Sequence, residues 1–304
     1  MPAERRFGMD HEHYDWSPLS RRGRLQWPEA RVAVCVLINL EHTEWAPPAG
    51  SVQVMASAPG MIPRPFPDYA RLTHREYGHR VGIFRLMKVL ETYGITPTVA
   101  MDALTAEHYP YLVRYCVEHG CEIIGHGVAA TRMMTSQMSE AEEQTYIRDT
   151  LTTLTRATGK APLGWLSPEY SQSARTPQLL AQAGIRYVCD WVNDEQPYRM
   201  HTPDGELFAL PILLELDDAH ALWERRVPVE RYGAMLKDSF RRLYRDGAHN
   251  GRLLVIHLHP WLIGQPFRIR YLDDALRFMT RHQGTWVTNG ATIIDWFRQH
   301  PPVA

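Results

Sequence analysis

Six polar residues stand directly behind apolar, largely β-branched runs of this sequence: Glu41, Asp102, His126, Asp190, Asp217 and His259. Carboxylates and imidazoles are the side chains that hold a water, take its proton and pass a proton to a leaving group. They are also common ligands of a divalent metal. One acid behind one strand reads equally well as a helix cap. Six such residues, each at the carboxyl end of a run, suit the single face of a βα barrel where chemistry is carried out. His257 and His259 share one side of their strand by the period of two, so two imidazoles are offered there.

The runs that must position these groups form a strand–helix series. Residues 31–42 (RVAVCVLINLEH) read as a strand buried on both faces, with Asn39, Glu41 and His42 at its polar end. Helices are expected over 81–94 and 105–120, each closed by a glycine, and over 139–159, opened by Ser139 with Glu142 at the capping-box position. Residues 176–184 form a short helix with Pro177 in its first turn. Strands are expected within 95–102, 121–127, 162–170, 185–194, 207–218 and 252–264. Helices over 229–247 and 270–282 follow the same rhythm, and a strand and helix close the chain. About seven strand–helix units predict a parallel α/β architecture. One domain spans 1–304, with an irregular N-terminal extension over 1–30 and a Pro-rich loop over 45–68. A loop of that length reads as a lid, an oligomer contact or a binding loop.

Bulk properties exclude several classes. Of 304 residues, 44% are hydrophobic and 22% charged, enough apolar material for a sizeable core. A net charge of -1 argues against a nucleic-acid or anionic-membrane partner. No apolar run approaches the length of a membrane span. The first residues are polar and lack the apolar core of a secretory signal. The four cysteines, Cys35, Cys116, Cys121 and Cys189, form no CxxC pair and read as reduced thiols, so a cytoplasmic location is expected. No glycine-rich phosphate loop, HExxH helix or GxSxG elbow occurs.

The segments VCVLINLEHTEW, EIIGHGVAATRM, GWLSPEYSQSARTPQLLAQAGIRYVCDWVNDEQPY and VIHLHPWLIGQPFRIRYLDDAL resemble the polysaccharide deacetylase (NodB homology) superfamily. Within it they are most similar to the branch of cyclic imidases and PuuE-type allantoinases, over about residues 30 to 298. The resemblance implies a distorted (β/α) barrel of about seven parallel strands, an amide hydrolase acting on a small molecule, a cytoplasmic location and a homo-oligomer. In the deacetylases proper the first motif supplies an aspartate base and an aspartate metal ligand; Asn39 and Glu41 stand there in this chain. His126 matches the first histidine ligand, but its partner position is Ala130. Leu166 replaces the arginine of the third motif, and His259 matches the histidine of the last.

Glu41, His126 and His259 are therefore the expected catalytic residues. Glu41 is the expected base or water orienter, on the reasoning that a carboxyl buried among acids is raised in pKa. His126 and His259 would stabilise an oxyanion or protonate the leaving nitrogen. Asn39, His42, Trp165, Pro168, Glu169 and Trp191 are the expected substrate contacts. A metal reading places Glu41 and His126 on one zinc ion, with His257 or His259 as third ligand; the alternative is a metal-free polar pocket. The predicted reaction is the opening of a small cyclic amide, imide or ureide by activated water. Metal-dependent N-deacetylation of an amino sugar or acetamide, and a catalytically silent barrel that only binds, are the alternatives. The sequence leaves the roles of Glu76, Arg80, Asp194 and Asp217 open, and residues 221–226 read as a rim segment.

Overall fold

A computed structural model describes residues 10–49, 51 and 67–302. Most of the Pro-rich loop, residues 50 and 52–66, lies outside the described residues. The strands are β1 (Val32–Leu40), β2 (Thr98–Met101), β3 (Glu122–Gly125), β4 (Gly164–Trp165), β5 (Tyr187–Val188), β6 (Tyr198–Met200), β7 (Leu207–Ala209), β8 (Arg252–Leu258) and β9 (Thr285–Val287). They form one sheet in the order β6-β7-β5-β4-β3-β2-β1-β8, with β9 added beside β1. Every pairing is parallel except β6 with β7. The sheet is strongly curled into a half-barrel, with its two end strands left unpaired to each other.

The helices are α1 (Tyr69–Tyr77), α2 (Ile83–Thr92), α3 (Ala103–His108), α4 (Pro110–Glu118), α5 (Glu140–Thr158), α6 (Thr176–Gln182), α7 (Val229–Asp246), α8 (Ile269–Thr280) and α9 (Gly290–Gln299). Two boundaries differ from the sequence expectation. The helix expected from residue 81 begins a full three turns earlier, because α1 runs into α2 through a π-helical stretch, Gly78–Gly82. The helix expected over 105–120 is broken at Pro110, which lacks the N–H a continuous helix needs. Gly82 is indispensable here: a Cβ at this position would collide with the carbonyl oxygen of Pro260. That contact seats the helix on the loop that follows β8.

Strand parity decides what faces the interior. Ala33, Cys35 and Leu37 belong to the inner cluster, whereas Val32, Val34, Val36, Ile38 and Leu40 pack outward under the helices. Continuing that alternation sends Asn39, and Glu41 just past the strand, inward. On β8, Leu253 and Val255 are inner, so His257 and His259 follow them in. No disulfide forms among the described residues, and no described helix is long and apolar enough to cross a membrane.

The base of the half-barrel is fastened by one acid. The Glu122 carboxylate accepts hydrogen bonds from Thr98 Oγ1 (2.7 Å), Tyr187 OH (2.7 Å) and the Ala291 N–H (3.1 Å) at the start of α9. Glu122→Ala strands these donors and removes a negative charge from a helix N-terminus. The expected cost is about 2–4 kcal/mol, read as a lower urea midpoint at unchanged slope; an unaltered midpoint would contradict this assignment.

Candidate active site

At the carboxyl ends of the strands the interior opens into a cavity of about 290 Å³. Asn39, Glu41, Glu169, Tyr170, Asp217, His257 and His259 line it, with Leu166 as an apolar wall. A broader depression of about 810 Å³ lies between residues 14–23 and 193–199. It contains no imidazole, and Asp194 there is tied to Arg22 at 2.5 Å, so that acid serves the fold.

Glu41 is the centre of an ion cluster. Its Oε1 accepts from Arg75 Nη1 at 3.0 Å, and its Oε2 lies 3.4 Å from His126 Nε2. Arg75 comes from α1 and stacks over Trp261 with its guanidinium carbon 3.8 Å from a ring centroid. The opposite side of His126 donates from Nδ1 to the Leu166 carbonyl at 2.6 Å, so a proton on Nε2 makes it a cation facing Glu41. Burial opposes ionisation of Glu41, but the bond from His126 and the charges of His259, Arg75 and His126 outweigh it and hold the carboxyl well below its usual range. This corrects the sequence-based expectation: the neighbours that dominate residue 41 are cations, not acids. A carboxylate so stabilised is a poor proton acceptor.

Glu169 has the opposite surroundings. Its side chain reaches solvent at the cavity mouth, but the protein packed around the carboxyl and the charge of Glu41 push its pKa up, with Arg75 and His259 only partly offsetting them. It sits at the mouth of the cavity in the left-handed region, φ 53°, and Tyr170 follows at φ 55°. Two consecutive non-glycine residues in that conformation carry strain of about 1–3 kcal/mol each. The turn is nevertheless fixed: the Ser167 N–H donates to Asp190 (2.7 Å), and Tyr170 OH donates to Asp217 Oδ2 (2.6 Å).

Two aspartate–histidine pairs complete the floor. His259 Nδ1 lies 2.7 Å from Asp218 Oδ1, and the His259 N–H donates to both oxygens of Asp218 at 3.0 and 3.1 Å. Burial disfavours the charged ring of His259, but Asp218, Asp217 and Glu41 raise its pKa to about 9. His257 Nδ1 lies 2.7 Å from Tyr170 OH and 3.0 Å from Asp217 Oδ2. Asp218→Asn frees the ring of His259 and removes its counter-charge. A loss of about 10- to 100-fold in kcat is expected, with the basic limb of the pH profile moved to lower pH; an unmoved limb would exclude this pairing.

Other expected site residues are placed elsewhere. Trp165 is on the outward side of β4, packed among Met134 and Tyr146, because its neighbour Leu166 takes the inward position. Trp191 packs against Tyr14 and His13 at 5.5 and 5.4 Å between ring centroids. Pro168 is buried beneath the turn, and the ring of His42 lies against His108 and Tyr109; neither lines the cavity. Asn39 lines it, yet both ends of its amide are engaged by histidines. Asp102 accepts from the His42 and Thr105 N–H groups and caps α3. Glu76 accepts from Trp45 Nε1, and Arg80 is exposed. Sequence reasoning missed Arg75 and Tyr170, whereas Asp218 ends the run expected as a strand over 207–218. Arg75 adjoins Glu76 in the sequence, but only the tertiary fold brings α1 over the strand ends.

The resemblance implies a divalent metal, and the donor set does not fit one. Ala130 offers no ligand where a second imidazole is needed, and the Arg75 guanidinium already occupies one oxygen of Glu41. Among the described residues, Asp217, Asp218 and His259 bring ligand atoms within 4.8 Å of one another. Those atoms are committed: Asp218 to His259, and Asp217 to Tyr170 and the Ala219 N–H.

A curled, mostly parallel half-barrel with acids and imidazoles gathered at its carboxyl mouth defines a NodB-type fold, whose family comprises carbon–nitrogen hydrolases. Residues 76–188 match the polysaccharide deacetylase family. In sequence over that segment, and in fold over nearly its whole length, the chain is similar to the polysaccharide deacetylase (NodB) superfamily. It is 24% identical over 301 residues to a Schizosaccharomyces pombe protein assigned to the polysaccharide deacetylases, covering 90% of this chain and 93% of that one. It is 22% identical over 258 residues to the peptidoglycan deacetylase of Helicobacter pylori, covering 74% and 87%. The crystal structure of a PuuE allantoinase superposes with a TM-score of 0.81 at 25% identity, covering 91% of this chain and 94% of that one.

Proposed function

We propose that this protein opens a small cyclic amide, imide or ureide by metal-independent attack of water. The observation that carries the reading is the pairing, in one cavity of about 290 Å³, of an acid held ionised, Glu41, with an acid raised in pKa, Glu169. Two carboxyls driven apart in this way suit different roles. Glu41 accepts a ring N–H of the substrate and orients it. Glu169 takes a proton from water, and the resulting hydroxide attacks the ring carbonyl. His259, held by Asp218, gives a proton to the departing nitrogen as the C–N bond breaks. Arg75 and the Glu41-facing His126 keep Glu41 anionic throughout. A strained or electron-poor ring needs no metal to polarise its carbonyl, and a cavity of this size suits a single small ring better than a polymer chain.

The test is hydrolysis of allantoin, hydantoin, succinimide, phthalimide and N-acetylated sugars by purified protein, with and without EDTA. Ring opening of at least one cyclic compound, unchanged by the chelator, is expected. Turnover confined to N-acetyl compounds and dependent on added zinc would replace this reading with the deacetylase one. No turnover of any compound would favour a barrel that binds without catalysis.

A further inference from the structure

The floor of the cavity contains a hydrogen-bond arrangement that the proposed chemistry does not require and does not explain. Asn39 lies between two imidazoles. Its Oδ1 is 2.8 Å from His257 Nε2, and its Nδ2 is 3.1 Å from His259 Nε2. An amide is a donor at one end and an acceptor at the other. The ring facing the oxygen must carry a proton on Nε2, and the ring facing the NH₂ must offer a lone pair. Two protonated Nε2 atoms would point one N–H at the amide's own donor. Two bare ones would set a lone pair against the oxygen. Asn39, His257 and His259 are 5%, 2% and 5% exposed, and at 2.8 and 3.1 Å no water fits between the amide and either ring, so a mismatch would press like groups together.

We infer that Asn39 is a positioning residue that links the two imidazoles, so that one and only one of His257 Nε2 and His259 Nε2 carries a proton. Rotating the amide by half a turn exchanges the two rings. With the oxygen towards His259, that ring is doubly protonated against Asp218, and His257 keeps its proton on Nδ1, facing Asp217 and Tyr170 OH. With the oxygen towards His257, the proton sits on His257 Nε2 and His259 presents a bare Nε2 to the cavity. The groups around the pair are Asp217, Asp218, Glu41 and Tyr170. The three carboxylates favour a cationic His259, and the amide couples its discharge to the state of its neighbour. The position occupied by an aspartate base in the resembling deacetylases thus becomes a polar link in this chain.

The inference does not depend on which compound is hydrolysed, because its readout is the position of a proton. Long-range ¹H–¹⁵N spectra of histidine-labelled protein distinguish protonated from bare ring nitrogens, and His257→Gln and His259→Gln spectra assign the two rings. Wild-type protein is expected to show one Nε2 in the protonated range and one in the bare range, or two intermediate shifts that sum to one proton. Asn39→Asp presents oxygens to both rings and is expected to move both Nε2 signals into the protonated range. Wild-type rings that share the same state, or an Asn39→Asp spectrum unchanged from wild type, would overturn the inference. Should the variant not fold, neutron diffraction from the wild-type protein decides alone: deuterium on both Nε2 atoms, or on neither, refutes the coupling.

Discussion

Glu169→Gln lowers kcat for ring opening by about 10²–10⁴-fold, with little change in KM and an unchanged thermal midpoint. The side chain lies at the cavity mouth, and glutamine keeps its length and its capacity to hydrogen-bond while losing the ability to take a proton. Its main chain is already in the left-handed region, φ 53°, and glutamine pays the same strain there as glutamate. The pH profile gives the sharper reading. A base must be ionised to work, so activity falls as pH drops through its pKa. The protein packed around the carboxyl and the Glu41 charge raise that pKa above the ordinary value of 4.5, so the acid limb of wild-type protein lies above that value. The limb disappears in the variant. A variant with wild-type kcat, or with the acid limb intact, would reassign the base.

Glu41→Gln is expected to cost about 3–5 kcal/mol of stability, because it leaves the buried Arg75 cation without its anion. Arg75 is 11% exposed and Glu41 8% at their side chains, so solvent screening relieves little of this. His126 escapes part of the penalty by losing its proton, which places the cost on the arginine. The pH dependence has a definite sign. Glu41 ionises in the fold far below its ordinary 4.5, so its contribution is fully present above that value and is lost as pH falls beneath it. Wild-type protein should lose stability steadily below about pH 4.5, and the variant should lose less over the same interval. Denaturant unfolding at several pH values measures both slopes; equal slopes would show that Glu41 is not held by its cations. Activity should fall with stability, which separates this variant from the stable but inactive Glu169→Gln.

The sequence by itself determined the strand–helix rhythm and the carboxyl-end position of Glu41, Asp102, His126, Asp190 and His259, because β-branched runs and glycine stops are local signals, whereas Asp217 lies beyond the end of β7, after a 3-10 turn over Leu214–Leu216. It also identified the altered positions Asn39, Ala130 and Leu166, since residue identity needs no coordinates. It did not determine which side of a strand points inward. β1 and β8 are apolar on both faces, so periodicity carries no inside–outside label, and Trp165 was expected on the face that Leu166 holds. Nor did it determine which acids work as pairs. Residues 41, 75 and 126, like residues 39, 257 and 259, are far apart along the chain and meet only when the curled sheet brings its strand ends together. Ionisation follows from those meetings: at sub-nanometre range the sign of the nearest charge outweighs the type of the residue, and proximity of that kind belongs to the tertiary structure.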